Sequence, residues 1–75
     1  MPSNIPVVPG ARVVKALESA GFVVARINGS HHIMNHADGR TVAVPVHAGR
    51  DMLRGTLRGI LNSIGMTSDE FRALL

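Results

Sequence analysis

Along the chain the apolar positions change period twice, and each change marks a change of element. Val13, Val14 and Leu17 recur at helical spacing and predict a helix over about 10–20. Gly21 follows as the residue able to take the left-handed conformation that ends it. Phe22 to Asn28 is rich in β-forming residues and predicts a first strand, and Gly29-Ser30 turns the chain into a second, His31 to His36. Asp38-Gly39 reads as a two-residue type I′ hairpin turn. A third strand, Arg40 to Val46, follows with Val42, Val44 and Val46 on one face. Pro45 has no N–H to give a ladder, which puts this strand at an edge. After the loop His47 to Asp51 the helical period returns: Leu57, Ile60, Leu61 and Ile64 stripe a helix from about Leu53 to Ile64, ended by Gly65. Thr67-Ser68-Asp69-Glu70 matches a capping box and starts a short last helix carrying Phe71, Leu74 and Leu75. The class is α+β: α-β-β-β-α with an antiparallel three-stranded sheet and a short C-terminal helix. Residues 1–9, with three prolines, read as an extended lead-in, and 10–75 as one domain.

A two-residue turn at 38–39 fixes a register. It sets Ala37 opposite Arg40, Ile33 opposite Val44, His31 opposite Val46 and Ser30 opposite His47. With the valine face on the helices, His31 sits at the rim of the core and His32, Met34 and His36 point to the open face. His47 lies across the strands from the His31-His32 pair, and diagonal neighbours on a sheet face stand roughly 7–8 Å apart. A scissile phosphate fits between two such imidazoles.

The chain has 75 residues, enough for one domain with a thin core, since a chain this short buries only about 60% of its unfolded surface. It has no cysteine, which excludes a disulfide scaffold and a Cys-based zinc site. No apolar stretch approaches the ~20 residues of a membrane span. The opening MPSNIPVVPG has neither the basic nor the long apolar region of a signal peptide, so the cytoplasm is the expected location. The net charge of +3 is modest, but seven of the eight Lys and Arg fall between Arg12 and Arg58. Aromatics are limited to Phe22 and Phe71. Base-stacking platforms are therefore lacking, and RNA binding would rest on phosphates, 2′-hydroxyls and shape.

The candidate chemistry lies between Gly29 and Leu61, where all four histidines sit beside a basic helix. His32 and His36 are four strand positions apart, about 13 Å at ~3.3 Å per residue, too far to share one ion, so no metal and no cofactor is expected. General acid–base chemistry fits better. RNA carries its own nucleophile, and its cleavage needs a base, an acid and cations for the developing charge. His31 and His47 are the candidates for proton transfer; the alternative is that they are strand-end residues bonded to backbone. Arg50, Arg54 and Arg58, spaced by four, suit phosphate binding at a helix N-terminus, or form a solvated charged face. Gly55 and Gly59 leave the same helix bare for close approach of the sheet, of RNA or of a partner.

Gly29-Ser30-His31-His32, Asp38-Gly39-Arg40, Val44-Pro45 with His47, and Gly55-Thr56-Leu57-Arg58 with Ile60-Leu61 together resemble the HicA toxin family. The similarity runs from the Gly21-Phe22 step to Glu70-Phe71. The resemblance implies a double-stranded-RNA-binding-domain-like fold and an mRNA interferase of a toxin–antitoxin pair, inhibited by a HicB-like antitoxin. It implies His31, in the Gly-Ser-His segment, as the catalytic residue. His32 is a lesser candidate, because some relatives place the histidine one step later. Gly29, Ser30, Lys15, Arg50, Arg54 and Arg58 are the candidate RNA contacts. The expected partners are mRNA and the antitoxin, with no membrane. Two other classes stay open: a non-catalytic RNA-binding module of this fold, and an interaction domain with structural histidines.

Overall fold

The computed structural model describes residues 5–75, so the first four residues of the lead-in lie outside it. Helix α1 (Gly10–Ser19) leads into strands β1 (Phe22–Asn28), β2 (His31–His36) and β3 (Thr41–Pro45), followed by α2 (Arg54–Ile64) and α3 (Ser68–Ala73). The sheet is antiparallel in the order β1-β2-β3, with Pro45 on an edge strand as expected. The capping box also forms: Glu70 N–H donates to Thr67 Oγ1 at 3.1 Å, and Thr67 N–H to Glu70 Oε1 at 2.8 Å.

The helices cover one face of the sheet only. Phe22, Met34, Val42 and Val44 from the strands meet Val13, Leu17, Leu57, Ile60, Leu61 and Phe71, all buried. The lead-in joins this core, with Ile5 buried and the Val8 carbonyl accepting Met52 N–H at 2.8 Å.

The hairpin register departs from the sequence reading by one residue. His36 N–H donates to the Arg40 carbonyl at 2.9 Å and Gly39 N–H to the His36 carbonyl at 3.0 Å, so the loop is Ala37-Asp38-Gly39. Only Gly39 has positive φ, +98°. Asp38 stays out of the left-handed region, which excludes type I′ and fits a three-residue loop closed by a glycine bulge. The pairs are therefore His31↔Pro45, His32↔Val44, Ile33↔Ala43 and Met34↔Val42. A one-residue slip exchanges the two faces of a strand. His32, Met34 and His36 thus face the helices, while His31, Ile33 and Asn35 face away, the reverse of the expectation. Ser30 stands opposite Val46, whose N–H it accepts at 2.7 Å, not opposite His47.

Candidate active site

His31 opens the central strand. The two-residue turn before it has Gly29 at φ +62° and Ser30 at negative φ, the sign pattern of a type II′ turn. The Ser30 carbonyl then ties the strand start to β3. Gly29 and Ser30, candidate RNA contacts, thereby have a backbone role in aiming His31. The His31 ring is exposed, and no hydrogen bond or ion pair within the described residues holds it. It lies on the bare face between Asn28 of β1 and Pro45 of β3.

His32 is different. It turns towards the helical layer beside Val44, half-buried, and its Nδ1 is buried without a hydrogen-bond partner among the described residues. The two adjacent imidazoles therefore lie on opposite faces of the sheet. His47 lies beyond the ladder, in a turn in which its carbonyl accepts Arg50 N–H at 3.1 Å. It lines a groove of about 330 Å³ with Gly10, Pro45, Arg50, Asp51, Met52, Leu53 and Thr56. His31 does not line that groove, although its strand partner Pro45 does.

His36, at the other end of β2, is fully engaged. Its Nε2 donates to the Ala20 carbonyl at 3.2 Å, and its Nδ1 stands 3.1 Å from both the Asp38 N–H, which it accepts in the neutral ring, and Asp38 Oδ1, to which it donates when protonated. The ring meets Phe22 edge-on, centroids 4.9 Å apart. Arg40 completes this end. Its Nη1 donates to the Ile64 carbonyl at 2.7 Å, its Nε pairs with Asp38 Oδ2 at 2.9 Å, and its guanidinium lies 5.1 Å from the Phe22 ring centre. The Arg40 backbone N–H, and then its guanidinium, hold the Asp38 carboxyl below its ordinary range. Asp38-Gly39-Arg40 is thus a fastening between the hairpin and the C-terminal ends of α1 and α2, where donors and positive charge are favoured.

The arginine stripe divides. Arg54 and Arg58 are exposed on α2, and Arg50 stays in the loop before it. Arg50 borders the His47 groove, whereas Arg58 borders a second one with Ile5, Asn62, Met66 and Asp69. Lys15 is exposed on α1, a different element. A Cβ added at Gly55 or Gly59 would meet nothing within 4 Å, so these glycines do not serve close approach to the sheet. Among the described lysine and arginine residues only Arg40 and Arg72 pair with carboxylates, leaving Arg12, Lys15, Arg26, Arg50, Arg54 and Arg58 without one. Also among them, no group of three or more His, Asp or Glu converges as a metal site, and no helix is long and apolar enough to cross a membrane.

The sequence reading passed over Arg26 and Asn28, which stand on the His31 face. The alternation of β1 gives no sign of it, because the pairing register shifts between Val24 and Arg26 without a glycine to mark the place.

No curated protein matches the chain. The profile of the HicA toxin of bacterial toxin–antitoxin systems matches residues 10–66, from the start of α1 to just past α2. That span holds the whole sheet, both long helices and all four histidines, and by it the chain belongs to the HicA toxin family.

Proposed function

We propose that the chain is an endoribonuclease toxin that cleaves mRNA with His31 as its general acid–base group, and that a HicB-like antitoxin restrains it. The observation that carries this reading is the state of His31: exposed, unpartnered and at the start of the central strand, within the span shared with the family. The imidazole takes the 2′-hydroxyl proton as the 2′-oxygen bonds to phosphorus and the bond from phosphorus to the 5′-oxygen breaks. The 5′-oxygen takes a proton from a second acid, His47 or water, as it leaves, and the products are a 2′,3′-cyclic phosphate and a 5′-hydroxyl. His47 is the second acid–base candidate, and a slower reaction with unchanged RNA binding in His47→Ala would assign it that role. The reaction needs no divalent metal in this reading, so cleavage persists in EDTA. Loss of cleavage in EDTA, restored by zinc or manganese, would reverse that part.

The deciding experiment is induced expression of the chain and of His31→Ala, following growth and mRNA integrity. Growth arrest and mRNA cleavage by the native chain, both absent in a folded His31→Ala protein, are the expected result. Undiminished cleavage by that variant overturns the assignment. The six cations without carboxylate partners also suit a non-catalytic RNA-binding module, and RNA bound but left intact by the native chain would select it. The antitoxin in our reading covers His31 and wraps round the sheet with an acidic surface to reach Arg54 or Arg58 in the helical layer, since complementary charge speeds association and sets specificity. A complex in which His31 stays open to solvent would exclude steric blocking.

A further inference from the structure

Strand β1 changes phase part-way along. Phe22, Val23 and Val24 pair with His36, Asn35 and Met34 in turn, but then Arg26, not Ala25, pairs with Ile33, and Ile27 and Asn28 follow opposite His32 and His31. Ala25 is the extra residue of a bulge. In an unbroken strand, Ala25 and Ile27 would share a face with Val23, and Arg26 and Asn28 would turn towards the helices. The bulge leaves Ala25 unpaired and sets Ile27 on the helix side and Arg26 and Asn28 on the other, and bulges beside sites commonly re-aim a side chain in this way. Arg26 and Asn28 therefore stand on the bare face with His31.

Asn28 is directly across from His31, and Arg26 is its diagonal neighbour. Such diagonals measure roughly 7–8 Å, within reach of a long side chain. Arg26 is exposed, and no carboxylate or hydrogen-bond acceptor among the described residues engages it. On the other side of His31 the same face carries Pro45, Ala43 and Thr41, none of them charged. Arg54 and Arg58 belong to the helical layer, on the opposite side of the sheet. Among the described strand residues, Arg26 is the one permanent cation on the face of His31.

We propose that Arg26 binds the phosphodiester on which His31 acts, with the Asn28 amide as a second hydrogen-bond donor; the catalytic part of this rests on the reading of the chain as a ribonuclease. The ligand is a phosphate of single-stranded RNA. A guanidinium grips two non-bridging phosphate oxygens at once, and it gains strength as charge builds on them in the transition state. Arg26 stays protonated throughout, so the proton transfers remain with imidazole.

The test separates binding from cleavage. In the His31→Ala background, the affinity for a short single-stranded RNA is measured over a range of salt. Adding Arg26→Gln weakens binding roughly tenfold, the loss expected for a charged hydrogen-bond pair, and flattens the dependence of log affinity on log salt by about 0.7. Arg26→Lys restores the slope but not the full affinity, because an ammonium has no fork. With His31 present, Arg26→Gln lowers kcat/KM by at least the same factor. Native affinity and slope in Arg26→Gln overturn the proposal. If His31→Ala still cut RNA, the catalytic reading would fail while the binding series still judged Arg26. If cleavage needed His31 but binding ignored Arg26, the proposal alone would fall.

Discussion

The two ends of β2 treat the same side chain in opposite ways. At one end His36 spends both ring nitrogens on the fold and packs against Phe22, while Arg40 links Asp38 to the last carbonyl of α2. At the other end His31 contributes no side-chain bond to the fold at all. An imidazole held on both nitrogens cannot exchange protons with a ligand without giving up a structural bond. A free one can. Residue type alone therefore does not mark a site: of these two histidines, the candidate for chemistry is the one whose ring makes no bond to the fold.

The strongest test of the contrast exchanges a rate for a stability. His31→Ala is expected to reduce RNA cleavage by about 10²–10⁴-fold with no change in melting temperature. His36→Ala should do the reverse, leaving cleavage by the folded protein within a few-fold while removing two hydrogen bonds and a ring contact. That loss amounts to roughly 2–4 kcal/mol, out of the ~4–11 kcal/mol typical of a chain this long. Denaturant unfolding beside cleavage assays reads both, and equal stability losses in the two variants would erase the distinction.

Gly21→Ala attacks the fastened end from the other side. Gly21 has φ +99°, and a Cβ there would come within 2.9 Å of His36 Nε2. Strain plus displacement of the ring should cost roughly 1–3 kcal/mol, with RNA affinity retained. Acid provides a smaller, graded test. The Asp38 carboxyl is held below its ordinary value near 3.8 by Arg40, and that of Glu70 below 4.5 by the Thr67 backbone N–H and then its hydroxyl. A carboxyl depressed in the folded state adds stability that is complete above its ordinary value. It is lost as pH falls from there through the folded-state value. Melting temperature should therefore begin to drop just below pH 4.5, and the drop should be shallower in Asp38→Asn. An identical profile in that variant would take Asp38 out of the fastening. The smallest effect concerns α2: Gly55→Ala and Gly59→Ala face open space and should each raise stability by about 0.5–1 kcal/mol. Lower stability in either, by chemical denaturation, would contradict that geometry.

Features decided within a few residues were legible in the sequence. The capping box at Thr67–Glu70, the bounds of β1 and β2 and the edge position of Pro45 follow from local chemistry, and the structure has them. The faces of the strands were not legible. Asp38-Gly39 serves a two-residue turn or a three-residue loop with a bulge equally well, and the choice depends on whether Met34 or Ile33 is buried against the helices. Met34 is. The bulge in β1 left no local trace either, so Arg26 and Asn28 escaped notice. His31 stood beside His47 as a proton-transfer candidate on residue chemistry, the resemblance of its segment to a family singled it out, and its exposure became visible only once the register was known.

The bare face of the sheet has a consequence for how such a chain can change. Strand β2, His-His-Ile-Met-Asn-His, carries two interleaved texts. The even-numbered residues 32, 34 and 36 are read by the core, and the odd-numbered 31, 33 and 35 by whatever lands on the surface. Mutation can rewrite the second text while the first stays intact, so recognition can drift without loss of the fold. In β1 the extra residue at Ala25 acts as a frameshift between the two texts. Were Ala25 drawn into the ladder and the bulge closed, the words meant for a ligand would turn into the core.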